Sequence, residues 1–119
     1  MNTRFYTTPR VFSVKGHKVE DQGKIHLNSN EMLSFITESE KELDVVAKEW
    51  GFYATPSINS RLKKENFKTA LVVNEQNQLY VMVVEKEKLA EFHTYLQHNQ
   101  DQKVLSWLDE WMPQIDKNQ

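Results

Sequence analysis

Residues Phe67 to Glu85 constrain the fold more than any other part of this 119-residue chain. Ala70-Leu71-Val72-Val73 and Leu79-Tyr80-Val81-Met82-Val83-Val84 are two apolar, β-branched runs on either side of Glu75-Gln76-Asn77-Gln78. That pattern specifies a β-hairpin, with residues 67–74 antiparallel to 79–85 around an exposed 75–78 loop. Both runs are apolar at nearly every position, so both strands are expected to be covered on two faces at the centre of a sheet, with Val72, Val81 and Val83 buried.

The rest of the chain is read outward from that hairpin. Residues 4–28 read as β-structure, Phe5-Tyr6 leading into Val11-Phe12-Ser13-Val14 and then Lys24-Ile25-His26-Leu27, with Gly16 and Glu20-Asp21-Gln22-Gly23 as turns. At Asn28 the rhythm changes. Asn28 and Glu31 have capping-box spacing, and Met32, Phe35, Ile36, Leu43, Val46, Ala47 and Trp50 fall on one helical face. A second capping box, Thr37 with Glu40, leaves open whether residues 29–50 make one helix or two, and the unbroken phase favours one. Gly51 stands where a left-handed residue would close that helix. Thr55-Pro56 reads as the start of a short helix through Ile58 and Leu62 to about Glu65. After the hairpin, residues 86–99 present Leu89, Phe92 and Leu96 on one face with Tyr95 at its margin. Val104, Leu105, Leu108, Trp111 and Met112 continue at helical spacing until Pro113.

The expectation is therefore a single α+β domain over residues 1–119, in the order ββ-α-α-ββ-α-α. Its antiparallel or mixed sheet of about four strands carries the helices, and residues 114–119 form a frayed tail.

Composition bounds function mainly by exclusion. The chain has no cysteine, hence no disulfide framework, thiol nucleophile or thiolate metal site. No apolar run approaches a membrane span, and Met1-Asn2-Thr3-Arg4 leads into no signal-like apolar region, so the expected location is cytoplasmic with no membrane partner. A net charge of −2 provides no general attraction for nucleic acid. His17, His26, His93 and His98 contain no i, i+4 pair, and His93 and His98 would diverge by about 140° on a helix. Asp109 with Glu110, and Glu38 with Glu40, lie in charge-rich stretches that read as solvated surface. The sequence nominates no catalytic residue, metal or cofactor, and leaves enzymatic activity open while leaning against it.

Three binding readings remain. Trp107 and Trp111, four apart on the expected last helix, together with Tyr95 offer more aromatic area than one small core absorbs, which points to a protein partner and above all to a homodimer. Alternatively, Trp50, Phe52, Tyr53, Thr55, Ser57 and Arg61 would border a small-ligand site where aromatics approach a helix start. A winged-helix-like DNA-binding reading takes Ala47 and Gly51 as helix and turn, Arg61, Lys63 and Lys64 as the second helix and the Lys68 hairpin as wing. The missing basic excess makes nucleic acid the weakest of the three.

Overall fold

In the computed structural model, which describes residues 1–98 and 101–113, strands replace most of the expected helices. The described residues form β1 (Asn2–Val14), β2 (His17–His26), β3 (Met32–Ile36), β4 (Glu42–Lys48), β5 (Gly51–Tyr53), α1 (Arg61–Lys64), β6 (Phe67–Asn74), β7 (Leu79–Glu85), α2 (Leu89–His98) and β8 (Gln102–Trp107). They make three antiparallel sheets: the β1-β2 hairpin, the meander β3-β4-β5, and β7-β6-β8. The expected α+β arrangement of four helical segments on one sheet is thus incorrect, since α2 alone exceeds a single turn among the described residues. The expected 114–119 tail and residue 99 lie outside the described residues.

The 67–85 hairpin forms with the expected register, Phe67 opposite Glu85 and Val73 opposite Leu79. Buried Asn74 organises its loop by accepting hydrogen bonds at Oδ1 from the Gln76 and Gln78 amides, at 3.0 and 2.8 Å, while Asn77 takes a left-handed φ of 60°. Only β6 is central. Val72 is buried, Val83 is half-buried, and Val81 is 61 % exposed because β7 is a sheet edge. Ala70, Val72 and Leu96 form the core, with Met82, Phe92, Tyr95, Val104 and Trp107 packed around them, so α2 covers one face of this sheet. On its other side Phe67 and Val83 meet Phe35, Ile36 and Leu43 across a narrow apolar cleft of about 170 Å³.

Residues 29–50 show how the helical reading failed. The capping-box contact is made, the Asn28 amide donating to Glu31 Oε1 at 2.7 Å. Asn30 then turns left-handed at φ 70°, its amide bonds the Ala47 carbonyl at 2.7 Å, and the chain enters β3. The Thr37/Glu40 pair is likewise a hairpin turn: the Glu40 amide donates to the Thr37 carbonyl at 2.9 Å, with Glu40 at φ 66°. Side chains that cap helices also close turns, so the two signals coincide. On either side of the second turn, Met32-Leu33 in β3 and Val45-Val46-Ala47 in β4 put apolar side chains on both faces and leave no strict alternation to read.

The other corrections have similar causes. Gly51, expected to end a helix in the left-handed conformation, instead opens β5 after the two-residue turn Glu49-Trp50 at a φ of 141°, which glycine alone adopts readily. The helix expected from Thr55 to Glu65 shrinks to Arg61–Lys64, with the Ser57 carbonyl and Oγ receiving the Leu62 and Arg61 amides. In place of the helix expected over residues 104–112, Gln102–Trp107 pair with β6 as β8, followed by the 3₁₀ turn Leu108–Glu110. In the N-terminal hairpin the turn falls at Lys15-Gly16, and Glu20 to Gly23 lie within β2 instead of forming a turn. Gly23 sits opposite Phe5 beside a bulge between Phe5 and Arg10 that accommodates Pro9. A Cβ at Gly23 would lie 2.2 Å from the Arg4 carbonyl oxygen.

Candidate interaction surface

Two charged joints hold the elements that display this surface. Asp44 on β4 is buried; its carboxylate accepts from Ser34 Oγ of β3 at 2.6 Å and from the Arg61 guanidinium of α1 at 2.8 Å. This joint ties the meander to α1. The second links β6 to the chain following β8. Asp109, 1 % exposed, accepts the Thr69 amide at 2.9 Å and Lys68 Nζ at 3.1 Å, and Lys68 also reaches Glu110 at 2.9 Å. Asp109 therefore supplies an acceptor to β6 one residue before the β8 ladder begins at Ala70–Trp107. Burial opposes its charge, but the Thr69 amide and Lys68 outweigh that and hold its pKa below the ordinary carboxylate value. Burial similarly opposes charge on Lys68, and Glu110 and Asp109 outweigh it to raise the ammonium pKa. Lys68 Nζ also lies 4.9 Å from the centre of the Trp107 ring.

The structure separates residues that the sequence grouped. Trp107, the last residue of β8, is half-buried against Phe92, its ring centroid 5.9 Å away. Trp111 follows the 3₁₀ turn and is 66 % exposed, so the two tryptophans share no helix face. Tyr95 packs at the core and meets the His17 ring at 4.8 Å. Of the proposed ligand border, Trp50 stands exposed in the β4–β5 turn and Phe52 and Tyr53 on the β5 edge. Thr55 is half-buried, Ser57 is engaged by the Arg61 amide, and the Arg61 guanidinium is occupied by Asp44. The helix-turn-helix framework loses its first helix, since Ala47 lies in β4 and pairs with Phe52. Arg61, Lys63 and Lys64 occupy the single turn of α1, and Lys68 is committed to Asp109 and Glu110.

The sequence reading did not assign a role to the β1-β2 hairpin, which displays Phe5, Val11, Phe12, Val14, Val19 and Ile25 to solvent. Met32, Phe35 and Ile36 on β3, Leu79, Tyr80 and Val81 on β7, and Leu105 on β8 extend the exposed apolar surface along strand edges. In the sequence this surface shows as apolar residues spaced through the β-stretch 4–28, two strands that cannot close a core by themselves. Open concavities lie elsewhere. One of about 590 Å³ between α2 and β8 is lined by His93, Leu96, Gln97, Gln102, Lys103 and Val104.

Among the described residues no group of three His, Cys, Asp or Glu side chains converges to hold a metal ion. No helix among them is long and apolar enough to cross a membrane. Comparison with family models, curated proteins and solved structures finds no match for this chain.

Proposed function

We propose that this chain is a non-enzymatic binding protein that acts as a homo-oligomer, most simply a twofold dimer, joined through exposed apolar β-surface. The observation that carries this reading is surface area. The chain exposes 9316 Å², over a third more than the roughly 6,700 Å² of a compact monomer of its mass. Its radius of gyration is 16.6 Å, against about 13.5 Å for a compact domain of this length. Large aliphatic and aromatic side chains of all three sheets are among the exposed residues, and contiguous apolar surface on a protein marks contact sites. The aromatic surface invoked is that of the strand edges and β1-β2, in place of a Trp107–Trp111 helix face.

Sedimentation velocity over a concentration series tests the proposal. Twice the chain mass is the expected species, and a monomer at every concentration would overturn the reading. A mass that doubles only when another protein is added would transfer the same surface to a heterologous partner.

A further inference from the structure

We propose that the β1-β2 arm is the contact element of that assembly, the arm of each copy docking on the body, residues 28–113, of a second copy. This rests on the homo-oligomer reading and assigns its interface. The arm is anchored to its own chain at its ends. The Met1 ammonium lies 3.0 Å from Glu31, Lys15 at the turn pairs with Asp101, and the His17 ring packs against Tyr95 at a tilt of 40°. Between those anchors, no described element packs extensively on either strand. Phe12 and Val19 are cross-strand partners on one face of the arm, and Phe12 remains 47 % exposed. A two-stranded hairpin lacks the stability to persist with its apolar side in water. The anchors hold it straight, and a second surface must cover its middle.

Area and charge identify that surface as another copy. The surface excess of roughly 2,600 Å² per chain reaches the upper end of what each subunit of an obligate homodimer buries, about 1,000–2,500 Å². Residues 1–27 carry five Lys and Arg against two Asp and Glu, whereas residues 28–119 carry ten against fifteen. Arm-on-arm contact would bring like charges together, and arm-on-body contact brings opposite ones. Within the arm, Arg4 stands directly opposite Lys24, and among the described residues neither forms an ion pair. Like charges in cross-strand register repel. Carboxylates of a second copy's body would relieve that repulsion, and twofold symmetry makes the contact reciprocal.

A photoreactive benzophenone amino acid in place of Phe12, with Val19 as a second position should the first derivative fail to fold, tests the contact in the full chain. The expected product is a covalent dimer whose adducts map by mass spectrometry to residues 28–113. The double charge reversal Arg4→Glu with Lys24→Glu should also raise the dimer dissociation constant about tenfold or more. A dimer by sedimentation whose adducts map only to residues 1–27, or only within one chain, overturns arm docking and leaves the homo-oligomer standing. A monomer throughout overturns both. Retention of the full chain on DNA at low salt, with loss of the cross-linked dimer, would overturn the proposal in favour of a phosphate-backbone partner.

Discussion

β6 and β1 are both long strands that carry large apolar side chains, yet their surroundings are opposite. β6 lies between β7 and β8, with α2 on one face, and its Ala70 and Val72 are fully buried. β1 has one neighbour and leaves Phe5, Val11, Phe12 and Val14 exposed. Similar residue types therefore serve folding in one place and recognition in the other. The difference lies in whether the chain supplies a cover, since two strands without a third element cannot close a core.

The largest expected effect falls on the buried side of this contrast. Asp109→Ala removes the acceptor of the Thr69 amide and one partner of Lys68, and should cost about 3–5 kcal/mol in urea unfolding. In the arm, Arg10→Ala removes an exposed ion pair with Asp21 and should leave the urea midpoint unchanged. Equal effects from the two would erase the distinction between the regions. Val72→Ala comes next, at about 2–3 kcal/mol for truncating a closely packed core side chain.

Gly23→Ala should destabilise the arm by about 1–3 kcal/mol through its φ of 140° and the clash with Arg4. NMR chemical shifts should move in β1 and β2 and remain fixed in β6; changes in β6 would mean that arm and body fold as one unit. Acid should act more weakly. Asp109 has a lower pKa folded than its ordinary value of 3.8, so its contribution is complete above that value and is lost as pH falls through the folded one. Lys68 has the opposite sign: its contribution is complete below 10.5 and disappears as pH rises through its raised value. Urea midpoints across pH should show a smaller acid-side loss in Asp109→Ala than in the parent protein, the remainder coming from Asp21, Glu31 and Asp101, whose pKa values are also lowered. A small effect on stability is also expected for Phe12→Ala, within about 0.5 kcal/mol at concentrations where the chain is monomeric, although dimerisation should weaken.

What could be read from the sequence followed the same division. The 67–85 hairpin was legible because β-branched residues flank a polar loop, and α2 because Leu89, Phe92 and Leu96 repeat on a surface that does pack. The 29–50 meander was not, since strands apolar on both faces mimic a helical repeat and Asn30 and Glu40 place turns where caps were read. Trp107 and Trp111 looked like one face only under a helical assumption that the β8 pairing of Trp107 with Ala70 removes. For the 50–61 segment, aromatics and Arg61 are visible in the sequence, but the engagement of Arg61 by Asp44, seventeen residues away, is a tertiary fact with no local signal.

Hydrogen exchange measured across a dilution series tests most directly the claim that β6 finds its cover within the chain and β1 finds it in a second copy. Amides of β6 should be equally protected at every concentration. Those of β1 and β2 should gain protection only as the dimer forms, in step with the sedimentation mass. Arm protection that does not vary with protein concentration while the mass doubles would contradict the account, because the arm would then take no part in joining the subunits.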